Sequence, residues 1–519
     1  MTKYNLINKI DKLNLNNYDI IIFIYGNKLD YNKLINTYNN LNVNKSDLNK
    51  NTQYNLGKIS CLFCPEPKKK DKYDDLEDIR LSISKCINNV NNVNDIKDKK
   101  LLINLLDSNL YNNLKFNSKY NLNDITEAQV ISAMSTLYTF DKYKSSKNKT
   151  DIPKSVDFYS NNNSDDFKNK FKKYIIIGEH VNLVRDLGNE PGNKLTPINY
   201  ANMIKKNAKG YSVDILNEDQ LKKQGFNNLI SMASGSQYPA RLVILKYDGN
   251  KSTDKNKSTD KNKRKNKSKT LSKKTPSKSD NIVLVGKGVT FDAGGINLKY
   301  GDDMYQMKYD MLGSAIVYSI IDTLAKLKIK KKVIGLLPLI ENMPGQAAIK
   351  PGDIITAYNK KTIEIMDTDA EGRLIMADTL AYSKKFNPKY LFDFATLTGQ
   401  ASGITNEESS MIISNNDNLC KKAENIGCHE YERVLRLPIY KEHINLVKSN
   451  IADVKNVNNE IYQTDCLYAG AFLREFIPDN SKWMHIDVTR NFLKNANKYY
   501  PEGCTGNGYR FGLKLVMDL

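Results

Sequence analysis

The sequence predicts an α/β protein. A small N-terminal α/β domain precedes a larger C-terminal α/β domain, whose central mixed, mostly parallel sheet is flanked by helices. Three observations lead there. The 519 residues exceed what one ordinary core needs, so two or more domains are expected. From Arg241 onward, short β-branched apolar runs alternate with stretches of helical periodicity, the pattern of parallel strands joined by helical crossovers. Two of those runs lead into glycine- and charge-dense turns, around Lys287–Asp292 and Asp367–Arg373, where ligand groups collect in such sheets.

Residues 1–150 make the N-terminal domain. Tyr18–Tyr25 and Lys58–Phe63 read as strands, and Ile125–Tyr138 as a helix through Val130, Ala133 and Leu137. A polar Lys/Ser/Asn-rich stretch from Asp141 to Asp165 suggests a linker, placed at 151–169, and the second domain takes 170–519. Phe167–Leu187 has helical spacing, with Gly188 as its expected C-cap, and Asn189-Glu190-Pro191 and Pro197 mark a loop before a helix from Asn199. Arg241–Tyr247 and Asn281–Val285 are strands of one domain, separated by a low-complexity Lys/Asn/Ser insertion at 249–281. That insertion repeats STDKNK at 252–257 and 258–263, and its polarity predicts disorder. Residues 311–327 form an amphipathic helix and Val333–Leu339 a strand. Ile354–Tyr358 and Thr362–Met366 flank Asn359-Lys360-Lys361 as a hairpin, followed by a helix with Leu374, Ala377 and Ala381 on one face and a strand at Tyr390–Ala395.

The net charge of +20 would suit nucleic acid or an anionic membrane if it were spread over a surface. It is not: residues 251–280 hold 12 Lys/Arg against 3 Asp, so a large share of the excess sits in the insertion. A tolerated surface-loop insertion is therefore favoured over a nucleic-acid-binding tail. Seven scattered cysteines, including a Cys61-x-x-Cys64 in an apolar segment, read as structural thiols in a reducing compartment. The N-terminus lacks the apolar core of a signal peptide, and no apolar run of about 18 residues occurs. A cytoplasmic protein without a membrane partner is expected.

Chemistry concentrates in the second domain. Lys287 and Asp292 are an odd number of residues apart, so a straight strand would send them to opposite faces. Gly288, Gly294 and Gly295 supply the backbone freedom to bring both to one point. Asp292, Asp310, Asp369 and Glu371 would carry four negative charges, a repulsive cluster unless cations balance it, and two divalent ions do. A neutral Lys287 amine fits such a paired site, because adjacent dications can strip its proton. The four histidines, His180, His429, His443 and His485, lie outside these motifs, which argues against a His-based zinc site. Lys299 and Arg373 are left as positive charges able to hold an anion or a developing oxyanion. Each motif alone is ordinary: an Asp-x-Glu is usually a helix cap, a Gly-Lys-Gly usually a turn. Their co-occurrence in one α/β domain favours a site.

Val285–Lys299 (VGKGVTFDAGGINLK), Met307–Asp310 (MKYD), Asp367–Leu374 (DTDAEGRL) and Ala395–Gly399 (ATLTG) resemble the signatures of the leucine aminopeptidase (cytosol aminopeptidase) family. The resemblance extends over roughly 170–519, including Trp483–Val488 (WMHIDV) and Gly503–Gly508 (GCTGNG). It implies a two-metal aminopeptidase, with two divalent ions per subunit drawn from Zn, Mn, Mg or Co. By the same resemblance Asp292 and Glu371 bridge the metals, Asp369 completes one site, and Lys287 and Asp310 complete the other. Lys299 is then the electrophile that polarises the scissile carbonyl, and Arg373 positions a bicarbonate acting as general base on a metal-bridging water. Met307, Thr396, Leu397 and Gly399 match the family's substrate pocket, with Cys504 a further candidate. Such an apolar pocket suits Leu-like N-terminal residues of short peptides and dipeptides, although one methylene is worth only about 1–3 kcal/mol in discrimination. The family assembles as homohexamers with active sites facing an internal cavity. The chain departs from the usual pattern at Ala293, Asp367, Gln400 and Arg490, where Ser, Asn, Ala and a small residue are common. The rival from another class is a nucleic-acid-binding or regulatory protein on the same fold; every ligand position being filled disfavours an inactive scaffold.

Overall fold

The computed structural model describes residues 2–7, 18, 20–24, 53–56, 59–64, 75–93, 99–105, 120–146, 149–160, 162–250, 281–458, 465–496 and 499–519. Residues 251–280 of the expected insertion lie outside them. The chain divides into two compact units: Met1–Asn189 with Phe492–Thr505, and Glu190–Asn491 with Gly506–Leu519.

The first unit is built on strands β1 (Lys3–Ile7), β2 (Ile20–Ile24), β3 (Gln53–Leu56), β4 (Ile59–Cys64), β5 (Lys100–Asn104) and β6 (Ser155–Tyr159), in the order β1-β6-β5-β2-β4-β3. All neighbours are parallel except β3, which runs antiparallel to β4. Helices Asp75–Val93, Leu122–Thr136 and Asp165–Asn189 bury Ile79, Ile83, Val130 and Phe171 in a core shared with Phe158 of β6. The second of these helices starts at a capping box, in which Asn121 and Asp124 each accept from the other's backbone amide.

Four expectations are corrected. Ser155–Tyr159, assigned to a linker, is a strand: its alternation places Val156 and Phe158 in the core. The helix from Asp165 belongs to the first unit, since Phe167, Phe171 and Tyr174 pack in that core, so the division falls after Asn189 and not near 170. That helix also runs through Gly188 to Asn189, so the glycine is not its C-cap. Cys86 is disulfide-bonded, whereas Cys420, Cys428, Cys466 and Cys504 are free, so reduced thiols do not hold throughout.

The second unit contains β7 (Ser212–Leu216), β8 (Arg241–Asp248), β9 (Ile282–Gly286), β10 (Gly288–Asp292), β11 (Lys332–Asn342), β12 (Ile354–Thr356), β13 (Thr362–Glu364), β14 (Tyr390–Ala395), β15 (Ser410–Ser414), β16 (Val434–Arg436), β17 (Val454–Lys455) and β18 (Lys482–Asp487). Its main sheet runs β16-β15-β18-β14-β9-β11-β8-β7, with β10 also beside β11. The central strands β18, β14, β9 and β11 are mutually parallel; β8 and β15 close the flanks antiparallel. β8 and β9, the strands on either side of residues 251–280, both pair with β11. The hairpin expected around Asn359-Lys360-Lys361 is β12–β13. Val283, Leu336, Leu374, Leu391 and Trp483 fill one core. The carboxyl ends of β9, β11, β14 and β18 lie on one edge, bringing Lys287, Asn342, Thr396 and Asp487 to it. Among the described residues, no helix is long and apolar enough to cross a membrane.

Candidate metal centre

Lys287 is the single residue between β9 and β10. Its amide donates to Phe394 O at 2.9 Å and its carbonyl accepts from Ser314 N at 2.8 Å, fixing it between β14 and the helix Leu312–Lys326. That close approach explains Gly313, where a Cβ would stand 2.3 Å from Phe394 O. Pairing of β10 with β11 then shifts register between Val289 and Asp292. The irregularity re-aims Asp292, which resolves its odd spacing from Lys287. Gly294 and Gly295 follow at φ of +90° and +67°, and the turn returns Lys299 N to Ala293 O at 3.0 Å.

The remaining carboxylates come from three places. Asp310 ends the 3-10 turn Asp302–Tyr309. Asp369 follows the hairpin, and its amide donates to Asp367 Oδ1 at 2.8 Å. Asp367 therefore shapes the loop that presents its neighbour. Glu371 opens the helix Glu371–Tyr382, where the N-terminal dipole favours a negative charge.

These groups converge. Asp292, Asp369 and Glu371 each offer an oxygen within 4.8 Å of the others. The Lys287 ammonium lies 2.8 Å from Asp310 Oδ1 and 2.9 Å from Glu371 Oε1, and donates to Thr396 O at 2.9 Å. Lys299 Nζ lies 2.9 Å from Asp292 Oδ2 and 2.5 Å from Asp369 Oδ1. Asp369 Oδ1 and Glu371 Oε1 meet these ammoniums as charge contacts without hydrogen-bond geometry. Asp310 Oδ2, also buried, has no hydrogen-bond partner among the described residues. Orphaned carboxylate oxygens packed this closely fit hard divalent cations.

The electrostatics say the same. Burial, then the Glu371 charge, pushes Asp292 up to about 6. Burial, then Asp292, pushes Asp369 up to about 7. Asp310 is raised well above the usual carboxylate range, first by burial and then by Glu371 and Asp292 against the pull of Lys287. Burial works against the charge of Lys287 and Lys299, but the surrounding carboxylates outweigh it and raise both. Glu371 goes the other way: burial opposes its charge, but Lys287 and Lys299 more than compensate and lower it, so two ammoniums hold one acid ionised and only partly offset the other three.

Arg373, in the first turn of the same helix, is buried and donates through Nη1 to Asn456 O at 3.0 Å and through Nη2 to Asp465 Oδ1 at 2.8 Å. Its Nε has no hydrogen-bond partner among the described residues. Of the pocket candidates, Thr396 donates through Oγ1 to Asp310 Oδ1 at 2.7 Å, so it lies at the cluster. Leu397 stands beside Gly372, within 3.0 Å of where a Cβ would be. Gly399 opens the helix Gly399–Thr405 and Met307 precedes Asp310 in the 3-10 turn; both are at least partly accessible. Cys504 is grouped with the first unit, where its amide donates to Asn189 Oδ1 and its carbonyl accepts from Arg185 Nε.

Sequence reasoning missed the groups that hold these residues. Asn342, the last residue of β11, donates through Nδ2 to Asp292 Oδ1 at 2.8 Å and to Thr368 O at 3.1 Å. Thr368 and Asn297 exchange hydrogen bonds and tie the two motif loops together. Asp487 accepts from Leu397 N, Thr398 N and Thr398 Oγ1, fixing the loop after β14. The only sequence signal for Asn342 and Asp487 was a polar residue closing an apolar strand.

A family model described as "Cytosol aminopeptidase family, catalytic domain" matches residues 182–259 and 269–512. The chain is 37% identical over 346 residues to a probable cytosol aminopeptidase of Syntrophotalea carbinolica, covering 66% of this chain and 63% of that protein. It is 34% identical over 387 residues to a cytosol aminopeptidase of Rickettsia prowazekii, covering 73% and 72%. Among solved structures, the bottromycin maturation enzyme BotP in complex with Mn shares the fold, with a TM-score of 0.77 at 23% identity over 96% of this chain and 99% of that one.

Proposed function

The chain belongs to the cytosol aminopeptidase family, a family of metallo-aminopeptidases, and on that premise we propose that it removes Leu-like N-terminal residues from short peptides and dipeptides. The observation that carries this reading is the convergence of Asp292, Asp369 and Glu371 on one point, with Asp310 and two lysines beside them. Lys287, Asp292, Asp310, Asp369 and Glu371 would hold a pair of divalent ions, with manganese and zinc the first to try. When bound, such ions supply Lewis acidity and lower the pKa of water.

The chain's own residues do the rest. Lys299 Nζ, with its positive charge raised by its neighbours, is the donor for the oxyanion that develops on the scissile carbonyl. Thr396, Leu397, Gly399 and Met307 receive the N-terminal side chain, and Asp487 keeps the loop of the first three in place. The resemblance would also put an anion such as bicarbonate, a general base, at Arg373. The fit there is partial: two guanidinium nitrogens already have partners, and Nε is the unpartnered donor. Assembly as a homohexamer in the cytoplasm completes the reading.

The test is turnover of leucyl amide and leucyl dipeptides by purified protein loaded with Mn or Zn. Activity should vanish on chelation, return with metal, and be abolished by Asp369→Ala with Glu371→Ala. A fully metal-loaded wild type that leaves every such substrate intact would overturn it.

A further inference from the structure

Arg373 is buried beside the metal centre, two residues beyond Glu371, yet its charge is not waiting for a ligand. Asp465, the first residue of the helix Asp465–Arg474, holds Nη2 at 2.8 Å. The pair is asymmetric: the Arg373 side chain is 3% exposed and that of Asp465 34%. One carboxylate thus reaches in from the accessible side to a guanidinium that is almost wholly enclosed. Asn456 O fixes Nη1 at 3.0 Å, and the Tyr468 ring stands 5.9 Å from the guanidinium carbon. Tyr468 is itself tethered through its hydroxyl to Lys455 O at 2.8 Å. The guanidinium cannot swing to a new partner without breaking both bonds.

We propose that Asp465 is the resident counter-anion of Arg373, a positioning residue whose carboxylate takes the edge that a small carboxylate or bicarbonate would otherwise use. The inference rests on the aminopeptidase reading for its consequence, but the pairing is a property of this chain alone. A charge-assisted bond to a carboxylate already in place is strong and needs no ligand to be captured from solution. An external anion must either displace Asp465 or bind a guanidinium whose charge a carboxylate already balances, through Nε and the N–H groups of Nη1 and Nη2 that Asn456 and Asp465 leave. The enzyme should therefore depend little on added bicarbonate.

Binding and rate can be measured separately. Line broadening of 13C-bicarbonate, titrated with metal-loaded wild type, Asp465→Ala, Asp465→Asn and Asp465→Glu, reads occupancy of the guanidinium directly. Wild type and Asp465→Glu should show no saturable binding, whereas the Ala and Asn variants should bind saturably, about tenfold or more tighter than any wild-type binding. In carbonate-free buffer the turnover of Ala and Asn variants should rise with bicarbonate while wild type stays within about twofold of its starting rate. Equal bicarbonate affinity in wild type and Asp465→Ala would overturn the inference. Absence of any metal-dependent turnover would instead sink the aminopeptidase reading, and the binding experiment would still decide this one. The Asn variant keeps an acceptor for Nη2, so loss of folding in the Ala variant does not remove the test.

Discussion

Lys299 Nζ stands 2.5 Å from Asp369 Oδ1, and the same ammonium is 2.9 Å from Asp292 Oδ2. One lysine therefore serves as counterion to two of the acids that would hold metal. Those roles compete, because a cation entering between Asp292 and Asp369 shares its ligands with the ammonium. Lys299→Met should accordingly lower kcat by about 100- to 1,000-fold, the scale of losing one preorganised donor to an oxyanion. Metal affinity should stay level or tighten. Turnover and calorimetric metal titration on the same preparation check the opposite signs. A variant that loses metal and activity together would show that Lys299 acts through the ligand cage alone.

Asn342 is bonded to Asp292 Oδ1 and to Thr368 O from the end of β11, so it is placed to set the rotamer of a proposed ligand. Asn342→Ala should weaken metal binding by about 10- to 100-fold, as removal of outer-shell partners does. At saturating metal, most of the turnover should return. Titration with Mn or Zn, followed by rate at excess metal, separates this from a direct role in chemistry.

His485 is buried on β18 with Nδ1 2.5 Å from Asp393 Oδ1, while Trp483 Nε1 donates to Asp393 Oδ2 at 2.7 Å. Burial disfavours its imidazolium, but the Asp393 carboxylate, helped by Asp487 and opposed by Arg373, more than compensates and raises its pKa. A raised basic pKa means this pair's stabilisation is fully present below the unfolded value near 6.5 and is lost as pH climbs through the folded value. The stability deficit of His485→Gln should therefore be largest at pH 6 and shrink above it, by at most about 1.4 kcal/mol per pH unit. Urea unfolding of both proteins from pH 6 to 9 measures this. A deficit constant across that range would mean that packing, not charge, sets the role of His485.

The convergence of Lys287 and Asp292 was legible because an apolar strand, an odd spacing and clustered glycines are local signals. Gly294 and Gly295 do adopt the left-handed backbone that the argument required. Gly288 matters for another reason: a Cβ there would lie 2.6 Å from Pro338 O, a neighbour invisible until β10 is laid beside β11. Asn342 escaped for the same reason, since an Asn ending a strand looks like any turn residue. The helix through Gly188 was misjudged because a glycine reads locally as a stop, whereas Val184 and Leu187 before it and Asn189 after it are buried in one continuous helix. The short strand Ser155–Tyr159 did carry its period-two signal, but polar flanks on both sides masked it.

The segment Phe492–Thr505 belongs with the N-terminal unit, although the chain has by then spent three hundred residues in the other one and returns to it at Gly506. Cys504 shows how it is held there, by Arg185 and Asn189 from the helix that closes the first 189 residues. Neither unit is complete until nearly the whole chain has left the ribosome, so synthesis in N-to-C order cannot finish one before starting the next. Separating the halves at residue 189 would leave the first without its final strip and the second without a continuous C-terminus.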